Sequence, residues 1–166
     1  MPNTANDPLA EADRHFIEDV AQILIPWGVP QTTARIYGYL LLMPEPVSLQ
    51  RITADLGVSK SSASVAARVL EMYTLARRHS ERGSKRILYE ASEDYAGTLT
   101  GQNRMLRALA TLFRSRAVSI DPGITRERLE EIADFYQNAY EAMETAVQTW
   151  RSGSSRWQRS RQRGQH

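Results

Sequence analysis

Two clusters of hydroxyl and basic side chains in the middle of the chain could bind a phosphate backbone or the edges of bases. The first combines short hydroxyl side chains with two cations: Ser59, Lys60, Ser61, Ser62, Ser64 and Arg68. The second lies in a polar, glycine-containing stretch: Arg82, Gly83, Lys85 and Arg86. Hydroxyl groups both donate and accept hydrogen bonds, and Lys and Arg attract polyanions. A glycine in such a stretch allows the backbone to approach a ligand closely.

The charge of the chain is concentrated around these clusters. The 166 residues hold 21 Lys and Arg against 19 Asp and Glu, a net charge of +2. Residues 51–90 carry eight basic and four acidic side chains, and residues 151–166 carry five arginines and no acid. Residues 1–29 and 124–150 are both acidic overall. A basic middle between acidic flanks indicates one surface that faces a polyanion.

Composition excludes several classes of protein. The chain has no cysteine, so disulfide scaffolds, thiol catalysis and thiolate zinc sites are excluded. An apolar share of 42% and a charged share of 24% are typical of a globular protein. No apolar run approaches the roughly 18 residues that span a bilayer, and the N-terminal residues lack a basic segment followed by an apolar one. We therefore expect a cytoplasmic protein without a membrane partner.

Hydrophobic periodicity predicts four helices ahead of and around the first cluster. The first begins near Leu9, ends at Gly28 and has one apolar face: Phe16, Val20, Ile23 and Trp27. The second runs from Gln31 to Pro44. Ser48 caps a third helix that Gly57 ends, and Ser59 caps a fourth over 60–73. In this fourth helix, the spacing predicts that Val65 and Val69 point inward.

After this helix, the period of the apolar residues changes from 3.6 residues to 2. This change predicts two strands, over 75–79 and 85–91, joined by a polar hairpin loop. The order helix, helix, glycine turn, helix and two-stranded ribbon is that of a winged helix-turn-helix. The predicted fold class is therefore mainly α, with a three-helix core, a two-stranded β-wing and long flanking helices. The fourth helix is the predicted recognition helix, and Arg82, Gly83, Lys85 and Arg86 lie in the predicted wing.

Two long helices follow, broken at 121–123. The second, over 124–150, has an apolar seam that needs another helix against it: Leu129, Ile132, Tyr136, Ala139, Met143, Val147 and Trp150. We interpret this seam as a dimer contact, with packing inside one chain as the alternative. The predicted organisation is a flexible leader (1–8), a helical dimerisation domain (9–29 and 92–151), a DNA-binding domain (30–91) and a basic mobile tail (152–166).

Three motifs resemble the MarR superfamily of bacterial regulators, and specifically its GbsR-like subgroup. They are the helix Ala34–Leu42 (ARIYGYLLL), the turn and helix start Leu56–Ser64 (LGVSKSSAS) and the wing Glu81–Arg86 (ERGSKR). The resemblance implies a homodimer in which each winged helix contacts half of a pseudo-palindromic DNA operator through the two clusters above. It also implies a small effector between the domains, which we expect to be apolar or aromatic. The candidate effector residues, each also explicable as core, are Trp27, Tyr37, Leu41, Phe113 and Tyr136.

Other groups of side chains are weaker candidates for a functional site. Glu11, His15 and Asp19 share a helix face that could bind a divalent metal, but such faces are more often solvated. No catalytic triad, carboxylate pair or phosphate-binding glycine loop is discernible, so we expect neither an enzyme nor a cofactor nor a metal site. The sequence predicts a ligand-responsive transcriptional repressor that binds double-stranded DNA. The alternative is a winged helix that serves as a protein-interaction module.

Overall fold

The structure, a computed structural model, describes residues 9–80 and 83–163, and it describes side chains as far as residue 153. The helices are α1 (Glu11–Leu24), α2 (Gln31–Leu42), α3 (Leu49–Leu56), α4 (Lys60–Met72), α5 (Tyr95–Val118) and α6 (Ile124–Arg163), with a short 3-10 turn over Ile25–Trp27. The strands are β1 (Val47–Ser48), β2 (Ala76–Ser80) and β3 (Ile87–Ala91). The chain forms two compact units, one that ends at Asp94 and one that begins at Tyr95. The predicted class, a mainly helical winged helix-turn-helix, is confirmed.

The caps predicted from the sequence set the ends of α3 and α4. The Ser48 hydroxyl accepts a hydrogen bond from the backbone N–H of Arg51, and the Ser59 hydroxyl accepts one from Ser62. Gly57 has a φ of 64°, in the left-handed region that glycine adopts without a steric penalty. The turn between α3 and α4 therefore has a backbone that the sequence dictates locally.

The small sheet has the strand order β1-β3-β2, with both pairs antiparallel. Ala76 pairs with Ala91 and Ser80 with Ile87, so β2 and β3 form the predicted hairpin. Strand β1 was not predicted, because two residues are too few to show a period of 2. Its pairing with β3 attaches the start of α3 to the base of the wing.

The core of the first unit lies between α2, α3, α4 and the sheet. Its largest buried side chains include Ile36, Tyr39, Ile52 and Leu70. Helix α1 contributes Ile17 to the same cluster. The predicted domain assignment of residues 9–29 and 92–151 to one dimerisation domain stays a prediction.

Helices α1 and α2 approach closely at Gly38. A Cβ atom at this position would lie 3.2 Å from the Ile17 Cα and 3.3 Å from the Val20 Cβ. We expect Gly38→Val to lower the free energy of unfolding by about 1–3 kcal/mol, because the extra atoms overpack this contact. Urea denaturation measures the effect. Gly101→Val in α5 is the control, because a Cβ there has no neighbour within 4 Å, and an equal loss in both variants would contradict the prediction.

The second unit is a hairpin of α5 and α6. Ring centroids lie 5.9 Å apart for Phe113 and Tyr136 and 5.7 Å apart for Tyr95 and Trp150. Val147 is 1% exposed. The interpretation of the α6 seam as a dimer contact is therefore wrong for Tyr136 and Val147, whose partner helix is α5 of the same chain.

Alanines allow the two helices of this unit to pack closely. Ala110 and Ala117 of α5 and Ala133 of α6 are buried. The Asn103 side chain of α5 is also buried, and its amide donates a hydrogen bond to Glu144 Oε1 at 2.6 Å. This polar pair fixes the register of the hairpin, because sliding one helix along the other would separate the two side chains and break their hydrogen bond.

Helix α6 continues to Arg163, whereas the sequence predicts an aperiodic tail after Trp150. Arg and Gln are good helix formers, and a single glycine costs a helix only about 1 kcal/mol, so Gly153 does not end it. The mobility predicted for residues 152–166 stays a prediction, and the predicted leader over 1–8 lies outside the described residues. Within the described ranges, no helix combines the length and the apolar character needed to cross a bilayer.

Candidate nucleic-acid interface

Helix α4 has two distinct faces. Its inward face is made of small side chains and one leucine: Ala63, Ala66, Ala67 and Leu70. Val65 is 62% exposed, so the prediction that it points inward is wrong. Val69 is half-buried. The physical reason is that alanines are apolar enough to fill a tight interface, which leaves the larger valine outside.

The outward face of α4 holds a row of residues spaced four, three and four apart: Ser61, Val65, Arg68 and Met72. Lys60 and Ser62, on the two flanks of this row in the first turn, are also exposed, whereas Ser64 is half-buried. The first turn carries no acidic residue. The recognition-helix cluster predicted from the sequence thus lies largely on one solvent-facing surface.

The serines at the start of α4 are linked to each other. The Ser59 hydroxyl lies 3.1 Å from the Ser61 hydroxyl and donates to the Ser62 hydroxyl at 2.8 Å. Ser59 also caps the helix, so its side chain is committed to the helix start. Ser61 and Ser62 are exposed, as is Ser59.

The predicted wing residues Gly83, Lys85 and Arg86 are exposed at the tip of the β2–β3 hairpin, and Arg82 lies outside the described residues. Gly83 has a φ of 81°, so the turn itself favours glycine there. The Arg86 guanidinium lies 3.5 Å from the Ser48 hydroxyl, which places this cation beside the start of α3.

Strand β2 adds two arginines that the sequence analysis did not assign to the site. Arg77 is exposed and lies 3.4 Å from Glu90, which also contacts His79 Nε2 at 2.6 Å. Arg78 is exposed, and its partner across the sheet is Tyr89. Strand alternation would place Arg78 on the same face as the buried Ala76, so the sequence carries no signal for the exposure of Arg78.

Tyr89 joins the wing electrostatically to α4. Burial, followed by the nearby Glu71, raises the pKa of its hydroxyl, while the charges of Arg78 and Arg68 lower it. Both arginines therefore act on one buried side chain. One of these arginines lies in strand β2 of the wing and the other in α4.

A partly buried polar network positions α3 against α2. The Tyr39 hydroxyl donates to Asp55 Oδ2 at 2.7 Å, and Arg51 Nε donates to the same oxygen at 2.6 Å. Burial, together with the Asp55 carboxylate, raises the pKa of Tyr39 above its ordinary range. The hydrogen bond to Asp55 raises the pKa of Arg51. These residues hold the helix that precedes the recognition helix.

The five candidate effector residues fall in both units. Trp27 is 84% exposed, Leu41 is exposed and Tyr37 packs at the edge of the core of the first unit. Phe113 and Tyr136 contact each other in the second unit. The effector site stays a prediction. No group of three or more His, Asp or Glu side chains that could hold a metal ion occurs among the residues that the structure describes.

The fold and this surface define a winged helix-turn-helix protein. The chain is 30% identical over 98 residues to the HTH-type transcriptional repressor OpcR of Bacillus subtilis (strain 168), a match covering 59% of this chain and 53% of OpcR. It is 32% identical over 95 residues to the putative HTH-type transcriptional regulator YvaV of the same organism, a match covering 55% of this chain and 54% of YvaV. The chain thus spans about half the length of these curated relatives. No protein-family model matches.

A crystal structure of a transcriptional regulator has the same fold. It is 21% identical to this chain, the alignment covers 85% of this chain and 99% of that one, and the TM-score is 0.75. The resemblance to helix-turn-helix transcription regulators that the sequence predicts is therefore confirmed. The GbsR-like subgroup stays a prediction.

Proposed function

We propose that the chain is a sequence-specific transcription regulator that binds double-stranded DNA as a homodimer in the cytoplasm. The observation that carries this proposal is the outward face of α4, which presents Ser61, Ser62, Lys60 and Arg68 without an acidic residue in its first turn. In a winged helix-turn-helix, this face is the one that enters the major groove. The relative OpcR is named as a transcriptional repressor, which supports a role of this chain in transcription regulation.

In this proposal, the two clusters have different tasks. An α-helix about 10–12 Å wide fits a major groove about 12 Å wide only if its outward side chains permit close approach. The short Ser61 and Ser62 side chains permit it at the start of α4. Lys85 at the exposed tip of the wing would bind a phosphate, which positions the protein without selecting a base sequence.

Exposed apolar side chains in both units support the homodimer. In the first unit, Phe16, Ile23 and Trp27 are exposed along α1 and the turn that follows it. In the second, Leu112 and Phe135 are more than half exposed. Burial of these side chains against a second copy would remove them from water and fix the spacing of two recognition helices.

The proposal extends to regulation by a ligand. A small apolar or aromatic effector that repositions the dimer helices would change the distance between the two recognition helices and release the operator. The candidate residues are the five predicted above: Trp27, Tyr37, Leu41, Phe113 and Tyr136. The chain would act by occupying DNA, without catalysis.

A salt titration of the full chain tests the proposal. Fluorescence anisotropy with a duplex selected from a random library, and with the unselected library as control, gives both affinities between 50 and 200 mM salt. If the protein contacts about 6–10 phosphates, the affinity falls about 10³- to 10⁵-fold over this range. A shallow slope with no preference for the selected duplex would contradict the proposal and favour the protein-interaction module.

A further inference from the structure

Val65 occupies the centre of the outward face of α4, where the other side chains are suited to polar contacts. Ser61 precedes it by four residues and Arg68 follows it by three, so all three lie along one line of the helix. Val65 is 62% exposed, and the inward face is filled by other residues. Its side chain is therefore presented at the surface that the proposed function places in the major groove.

The chemistry of valine restricts what it can recognise there. Its side chain has no donor or acceptor, so it cannot bind the polar edge of a base. In the major groove of unmodified DNA, the C5-methyl group of thymine is the apolar feature that distinguishes one base pair from another. We propose that Val65 contacts this methyl group and so makes thymine a determinant of operator choice, an inference that rests on the proposed function.

The position of Arg68 defines where this thymine lies. The rise from residue 65 to residue 68 is about 4.5 Å along the helix axis, and successive base pairs are about 3.4 Å apart. Arg binds guanine O6 and N7 with two hydrogen bonds. Where Arg68 contacts a guanine in this way, the selected half-site contains a thymine one or two base pairs from that guanine.

Replacement of thymine by deoxyuracil tests the contact, because it removes the C5-methyl group and keeps every hydrogen-bonding group of the base. The duplex selected by the full chain is synthesised with thymine or with deoxyuracil, and without methylated cytosine. We expect the wild-type chain to bind the thymine duplex about fourfold more tightly for each contacted methyl group. In Val65→Ala, the shorter side chain loses part of this contact, so the ratio of the two affinities should fall below the wild-type ratio, and in Val65→Ile it should persist.

Val118→Ala is the matched control, since Val118 is 72% exposed and lies in α5. It should keep the wild-type ratio. If Val65→Ala keeps that ratio as well, or if the wild-type chain binds both duplexes equally, the thymine contact is wrong while DNA binding stands. If the wild-type chain enriches no duplex over the random library, the proposed function itself fails.

Discussion

Arg68→Ala is expected to weaken binding to the selected duplex about 10- to 100-fold. Arg68 is exposed on the outward face of α4, so its loss leaves the core of the first unit intact. A good bidentate contact from arginine to guanine contributes about 1–3 kcal/mol of discrimination, which corresponds to a loss of this size. Fluorescence anisotropy with the selected and the random duplex measures it.

The two duplexes also distinguish the kinds of contact. A larger loss of affinity for the selected duplex indicates a base contact. An equal loss for both duplexes indicates a phosphate contact, and the slope of log affinity against log salt concentration should then be smaller by about one. Arg104→Ala removes another exposed arginine, from α5, and should leave both affinities unchanged. Unchanged affinity in Arg68→Ala would show that α4 does not face DNA.

Phe135→Asp is expected to dissociate the homodimer and abolish operator binding at the same protein concentration. Phe135 is 66% exposed within one chain, so the substitution costs the isolated chain little stability. In a dimer contact it would bury an unpaired charge in each chain, which is strongly unfavourable. We expect the dimer dissociation constant to rise about 100-fold or more, as measured by sedimentation equilibrium.

Two further variants separate dimerisation from folding. Gln148→Asp adds the same charge at another exposed position of α6 and should leave the dimer intact. Val147→Asp should instead unfold the α5–α6 hairpin, because Val147 is buried within one chain. A Phe135→Asp protein that remains dimeric and binds DNA would show that this surface faces solvent.

The elements that the sequence predicts well are those with local signals. Ser48, Gly57 and Ser59 fix the ends of α3 and α4 through caps and a left-handed turn, which depend only on neighbouring residues. The hairpin of the wing follows from alternation around a polar loop. Most of the candidate site could therefore be placed on its elements before any tertiary contact was known.

The features that the sequence does not reveal depend on tertiary packing. The inward face of α4 is made of alanines, whose weak hydrophobic signal leaves Val65 as the apparent core residue. The Tyr39 and Asp55 pair joins residues from two helices, and nothing local marks either partner. The apolar seam of α6 that includes Val147 is periodic, but periodicity does not specify whether its partner helix belongs to the same chain.

The small side chains that hold α4 in place have a consequence for how new binding preferences can evolve. Ala63, Ala66 and Ala67 face the core, whereas Ser61 and Arg68 face solvent, so the two sets share no position. Substitutions in the outer set therefore leave the packing untouched. If the chain binds DNA as proposed, a duplicated copy of its gene could acquire a different operator through a few changes at the outer positions, with each intermediate still folded.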